Sequence, residues 1–284
     1  MGFVLLSSAT LSRAAALDGR TLDAWNDYMR QARSRMTARA QAHSQFLWVD
    51  ETPEVRSQVR NGQVYVVPVG GSHPKRVPSG LIHDWFGVAF LPNATVEDAI
   101  RVVTDYNRYK EFYQPFIAQS ASLGSDGRNY KFSLVIVNQT LFSQTALQAE
   151  CDDAYFQLDD KRWYSAGSCQ SIREIENYGK AVERELPPNE GRGYIWRLAG
   201  FSRFEERDGG VYVEREVIAL SRDLPGGLRW FLEPIVNRLS RSSLSASLLQ
   251  TRQAVLSCCA AARLRDTGQI VPVHKAVALL PGQD

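Results

Sequence analysis

The side chains that could do acid–base or metal chemistry are scattered along the chain. The four histidines, His43, His73, His83 and His274, lie in four separate segments, and none has a Cys or a carboxylate at ligand spacing, so no metal site is expected. His83 beside Asp84 is the one pair to weigh. On a strand such neighbours point to opposite faces, which disfavours a catalytic dyad. No Gly-x-Ser-x-Gly elbow, phosphate-binding Gly-Lys-Ser/Thr loop, Gly-x-Gly-x-x-Gly or His-Glu-x-x-His occurs. Hydrolase, NTPase and metalloprotease chemistry therefore lose their usual entry points, and no cofactor is expected.

Arg197, Arg203, Glu214, Arg215 and Glu216 fall on what should be neighbouring antiparallel strands. They read either as cross-strand ion pairs on a solvated face or, for one arginine, as an inward guanidinium able to hold a carboxylate or ketone. Arg30, Arg33, Arg35 and Arg39, sharing a helix with Asp23 and Asp27, read as a solvated helix face. Cys151, Cys169, Cys258 and Cys259 show no metal-ligand spacing, and the adjacent pair is poorly placed to bridge itself. Cys151 and Cys169 are expected as small buried apolar side chains.

With 33 Lys plus Arg against 31 Asp plus Glu, the 284-residue chain has no basic footprint for nucleic acid. No stretch approaches the roughly 20 apolar residues of a membrane span, so a transient surface contact is the only membrane involvement expected. Phe3-Val4-Leu5-Leu6 and Ala14-Ala15-Ala16 resemble a signal segment over 1–16, although no Lys or Arg precedes the apolar run. That favours a periplasmic or secreted location over a cytoplasmic one. Nothing in the pattern specifies an oligomeric state.

The elements that must position these residues begin with an amphipathic helix over 21–42, striped by Leu22, Trp25, Met29, Ala32 and Met36 and capped by Thr21. Phe46–Val49 reads as a short strand, 53–60 as a helix opened by Thr52-Pro53, and 63–69 as an edge strand tolerating Pro68. Gly70–Gly80, rich in Gly, Pro and Ser, closes an extension over 17–79. Then come a strand at 82–91, a helix capped by Thr95, and a short helix over 108–116. Six strand-like runs reach Asp223, and a terminal helix is expected over 225–262, kinked or restarted near Pro234. Tyr130, Phe132, Leu134 and Ile136 alternate onto one face, as do Tyr194, Trp196, Leu198 and Phe204. A mobile tail over 263–284 follows.

Ile82–Phe90 as a first strand, the Asp105-Tyr106-Asn107-Arg108-Tyr109-Lys110-Glu111-Phe112-Tyr113-Gln114-Pro115 junction and the entry Ser221-Arg222-Asp223-Leu224-Pro225 resemble the START-like (SRPBCC, helix-grip) superfamily. The likeness extends over 80–262, about 180 residues, and is similar to uncharacterised bacterial START-like proteins with an N-terminal helical extension. It implies an α+β fold in which a curved antiparallel sheet of about seven strands wraps a long C-terminal helix. It also implies a bound lipid, polyisoprenoid quinone, hormone or polyketide, a choice that fold alone does not make.

The expected function is therefore non-enzymatic binding or transfer of a hydrophobic small molecule or lipid in an internal cavity. A polyketide cyclase or aromatase on the same fold, and a protein-interaction platform built on the extension, stand as alternatives. Bulky residues that could wall a cavity are Tyr113, Phe116, Phe132, Leu134, Phe142, Trp163 and Trp196, with Leu228, Leu232, Ile235 and Leu239 from the helix and Arg197 as a polar anchor. Small residues Ser240, Ser242, Ser243, Ser245, Ala246 and Ser247 on that helix leave either tight packing or a hollow.

Overall fold

A computed structural model describes residues 17–42, 45–71, 74–139, 144–192, 194–223 and 229–266, with side chains described except at 139, 229–235 and 260–266. Phe142 and Leu228 lie outside the described residues, as do His43, His73 and His274, the side chains of Leu232 and Ile235, and residues 1–16 and 267–284.

The described strands form one antiparallel sheet. Its strands are β1 (Tyr65–Pro68), β2 (Lys75–Val77), β3 (Gly80–Pro92), β4 (Ile117–Asp126), β5 (Asn129–Gln139), β6 (Gln144–Gln157), β7 (Arg162–Glu176), β8 (Arg184–Glu185), β9 (Arg197–Arg207) and β10 (Gly210–Arg222). They run in the order β1-β3-β10-β9-β7-β6-β5-β4, with β2 on β3 and β8 on β7. The seven strands expected from sequence are β3 to β7, β9 and β10. The extension adds β1 and β2, and the segment between β7 and β9 adds β8.

Register fixes two faces, because cross-strand partners share a side. Arg215 sits opposite Gly87 and Ser202, whereas Glu214 sits opposite Val88 and Arg203. The Arg215 side is covered by α5 (Arg229–Asp266), whose 38 residues reach roughly 57 Å at 1.5 Å per residue. The helix continues through Pro234 and past residue 262 to Asp266. It crosses close to β3: a Cβ on Gly87 would lie 2.7 Å from Leu248 Cδ1. Between α5 and the sheet lies a core of Trp85, Ala89, Leu91, Phe204, Val211, Val213, Leu244 and Leu248. The helix α3 (Val96–Val103) completes it, its start closed by a reciprocal Thr95–Asp98 capping box.

The opposite, outer face is covered by the extension. In α1 (Gly19–Gln41) the stripe residues Trp25, Met29, Ala32 and Met36 are buried with Ile82, Phe201, Ile218 and Leu220. Farther along the sheet, Phe46, Leu47, Val49 and, from α2 (Pro53–Arg60), Val59 pack with Phe86, Val88, Phe90 and Tyr212.

Several local expectations change. Asp18, not Thr21, caps α1 by accepting from the Thr21 amide at 2.9 Å, while the Thr21 hydroxyl donates to the Pro78 carbonyl at 2.6 Å. The Phe46–Val49 stretch is no strand; it leads into a 3₁₀ turn at Trp48–Glu51. Its apolar residues are a plug for the outer core, and a run this short does not distinguish the two. The short helix is reduced to α4 (Tyr109–Phe112), preceded by a 3₁₀ turn at Tyr106–Arg108 and followed by the cis Gln114–Pro115 bond. Cys151 and Cys169 form a disulfide between directly paired positions of β6 and β7; Cys258 and Cys259 are not disulfide-bonded. No described helix is long and apolar enough to cross a membrane.

Candidate functional site

The helix-facing side of the sheet carries a polar group that alternation alone would reserve for apolar residues. On β6, Cys151, Asp153 and Tyr155 point the same way as Tyr130 and Phe132 of β5, since Asp153 pairs with Tyr130 and Cys151 with Phe132. On β10 the series Val211, Val213, Arg215, Val217 shares that side. The sheet therefore presents the Asp153 carboxylate and the Arg215 guanidinium toward α5.

The 3₁₀ turn and α4 add tyrosines from above. Tyr106 stacks on Phe132 at 3.9 Å between ring centroids and donates its hydroxyl to Asp153 Oδ2 at 3.1 Å. Tyr109 and Tyr155 both donate to the Val103 carbonyl, at 2.6 and 3.1 Å. Tyr113 pairs with Thr251 Oγ1 of α5 at 3.1 Å. The carboxyl of Asp153 fits only because position 167 is glycine: a Cβ there would lie 2.8 Å from Oδ1.

Two polar groups in this cluster are incompletely answered. Asp153 Oδ1 is buried without a hydrogen-bond partner among the described residues, a cost of about 1–3 kcal/mol for an ordinary polar atom. Arg215 has only neutral partners among them, Ser247 Oγ at 2.9 Å from Nη1 and Ser202 Oγ at 3.4 Å from Nε. Burial pushes the Asp153 carboxyl up to about 6, against the lowering effect of the Tyr106 and Tyr155 hydroxyls and of the Arg215 charge. Burial likewise raises Tyr109 and Tyr155 well above the usual phenol value.

Of the wall residues expected from sequence, Tyr113, Phe132, Leu134 and Trp163 stand on this side of the sheet; Trp163 pairs with Phe204. Leu239 is half-buried on α5, and Phe116 is half-buried at the start of β4. Trp196 and Arg197 do not join them. Trp196 packs in the outer cluster with Trp25 and Leu220, because the strand proper begins only at Arg197 and the period-two count fails across that boundary. Arg197 donates to Asn189 Oδ1 at 2.8 Å and to the Trp196 carbonyl, beside α1. The inward arginine is Arg215. Tyr164, paired with Arg203, also lies on the outer side.

The ion pairs expected on a solvated face are present but covered. Arg203 holds Glu214 Oε2 through Nε at 2.9 Å and Nη2 at 2.6 Å, beneath the extension. Three of the four arginines in the α1 run hold carboxylates: Arg35 bonds Glu216 at 2.9 Å, Arg39 bonds Glu51 at 2.8 Å and Arg30 bonds Asp27 at 2.5 Å. His83 points to the α5 side, with Nε2 3.0 Å from Ser221 Oγ, while Asp84 accepts from Tyr28 on the other side at 2.7 Å. Among the described residues no group of three or more His, Cys, Asp or Glu could hold a metal ion.

No family model and no curated protein matches the chain. Among solved structures, a STAR-related lipid transfer protein from Xanthomonas axonopodis is similar at 16% identity and a TM-score of 0.43, covering 64% of this chain and 97% of that one. Human STARD10 is similar at 6% identity and 0.43, covering 77% and 84%. The Zhui aromatase/cyclase from Streptomyces is similar at 14% identity and 0.37, covering 66% and 99%. From its own strand order, with one antiparallel sheet and a long C-terminal helix laid across one face, the chain has the START-like helix-grip fold.

Proposed function

We propose that the protein binds, and carries without chemical change, an apolar molecule with an oxygen-bearing end, held between the sheet and α5. A lipid, a polyisoprenoid quinone or a similar compound fits that description. The observation that carries the reading is Arg215: a guanidinium ringed by protein, given two serine hydroxyls and, among the described residues, no carboxylate partner, facing a carboxyl with one unanswered oxygen. A guanidinium whose only hydrogen-bond partners among the described residues are two hydroxyls has donors to offer a ligand oxygen. Asp153, Tyr109 and Arg215 are each half-buried, so part of each side chain is open to a water-sized molecule. Apolar burial at about 25 cal/mol per Å² would supply most of the affinity.

A cyclase or aromatase is the second reading. It is favoured by one feature, a carboxyl of raised pKa hydrogen-bonded to Tyr106 and near Arg215, which supplies an acid–base group beside an electrophile-stabilising one. Arg197, Glu214 and Tyr164 lie on the outer side and would take no part in such chemistry. The interaction-platform reading lacks its surface, because Trp25, Met29 and Met36 are buried. The Cys151–Cys169 disulfide fits an oxidising compartment and so an exported protein.

Native mass spectrometry and solvent extraction of protein purified from its own host test the proposal. An apolar molecule is expected to accompany the wild type, and Arg215→Met, checked as folded by circular dichroism, should retain at least tenfold less of it. Wild-type protein that carries nothing and acquires nothing from total lipid extract would overturn the reading. Conversion of the bound molecule on incubation would favour the cyclase.

A further inference from the structure

On the opposite side of the sheet, α1 does not seal the outer face completely. A groove of about 420 Å³ remains between α1 and the start of β9, with a floor of Trp25, Met29 and Ala199 and a rim of Arg30, Arg33 and Arg197. Its size is within the range of small-molecule sites. Among the described residues no Asp or Glu lines it, although Arg30 on its rim holds Asp27 at 2.5 Å.

Two of those cations lack an acidic partner among the described residues. Arg197 is half-buried and bonds only neutral oxygens, the Asn189 side chain at 2.8 Å and the Trp196 carbonyl at 2.6 Å, and burial alone holds its pKa below the ordinary arginine value. Arg33 is exposed and, among the described residues, forms no ion pair or hydrogen bond. The contrast with its neighbours is informative, because Arg30, Arg35 and Arg39 each hold a carboxylate. A half-buried guanidinium with spare donors is a ready bidentate partner for a carboxylate or phosphate.

We infer that this groove is a second binding site, separate from the space under α5, for a monomeric anionic amphiphile whose carboxylate or phosphate meets Arg33 and Arg197 and whose apolar body lies on Trp25 and Met29. A single dissolved molecule is favoured over a membrane surface because the apolar residues form the floor: Trp25 and Met29 are 7% and 6% exposed and cannot reach into a bilayer. Charge complementarity selects the anion, since Arg33 and Arg197 lack an acidic partner among the described residues and no acid is in the described lining.

Met29 supplies a local reporter, because the chain has only three methionines and the others are Met1 and Met36. With ¹³C-methyl-methionine labelling, decanoate below its micellar concentration should shift the Met29 methyl signal saturably. Decanol, the neutral analogue, should bind at least several-fold more weakly. Arg33→Gln should weaken decanoate several-fold, and Arg33→Gln with Arg197→Gln at least tenfold, the scale of a lost charge-assisted pair. If the double variant does not fold, Arg33→Gln alone together with a salt titration decides, since screening should weaken decanoate but not decanol. Decanol binding as tightly as decanoate, affinity unchanged in the folded variants, or a Met29 response confined to phosphatidylglycerol vesicles would each overturn the inference. None of these results depends on whether the space under α5 is loaded.

Discussion

Arg203 and Glu214 face each other across β9 and β10 with their side chains 7% and 0% exposed, joined by two bonds from the guanidinium to one carboxylate oxygen. The second oxygen, Oε1, accepts from the Val49 amide at 2.9 Å, and Arg203 Nη1 lies 3.5 Å from Met36 Sδ. The pair thus ties the sheet to α1 and to the 3₁₀ turn of the extension at once.

Breaking that pair should release the extension as well as cost stability. Glu214→Gln leaves a buried cation, and the loss expected is about 3–5 kcal/mol by chemical denaturation, whereas Arg203→Met with Glu214→Leu should recover much of it. Hydrogen exchange is expected to rise across 19–51 in the single variant before it rises in β5 and β6. Uniform exchange across the whole chain would show that the pair does not hold the extension specifically.

Gly87 sets how closely α5 approaches β3. A Cβ there meets Leu248 Cδ1 at 2.7 Å, Val66 Cγ2 at 3.2 Å and Leu244 Cδ2 at 3.3 Å. The nearest atom ends a flexible side chain, but Leu248 is fully buried and has little room to turn. Gly87→Ala is expected to destabilise by about 1–3 kcal/mol, the usual cost of overpacking. A denaturation midpoint equal to wild type would mean that α5 has slack over β3.

Much of the fold was legible because periodicity reports burial. The period-two run Tyr130–Ile136, the Thr95 cap and the long terminal helix each recur as the expected element, although the buried face of that helix is Leu244, Leu248 and Val255. What escaped were departures from the period that carry chemistry. Arg215 between Val213 and Val217, and Asp153 between Cys151 and Tyr155, occupy apolar slots of alternating strands, and that substitution was the readable signal. It was masked by reading Arg215 with its charged neighbours Glu214 and Glu216, which the pleat sends to the other face. Coverage of the outer face was not readable at all, since alternation gives no indication that a charged row such as Arg203 and Glu214 lies under a distant helix.

The raised Asp153 carboxyl predicts a pH dependence of definite sign. Its ordinary value is 3.8 and its folded value about 6, so the folded state holds this proton more tightly than the unfolded one. The group favours folding fully below about 3.8, its contribution declines as pH rises through the window to about 6, and above that the penalty of the buried charge is complete. That difference corresponds to about 3 kcal/mol at most. Asp153→Asn should therefore be more stable than wild type at pH 7 by an amount approaching that, with the difference shrinking toward pH 4, as urea titrations across this range would measure. The variant keeps an acceptor for the Tyr106 hydroxyl, so packing on Phe132 should survive. Equal stability of the two proteins from pH 4 to 7 would mean that Asp153 carries no burial penalty, and the unanswered Oδ1 would then have a partner in solution. If bound ligand supplies that partner, loading should lower the Asp153 pKa and shrink the wild-type deficit at pH 7, whereas Asp153→Asn would gain less from the same ligand.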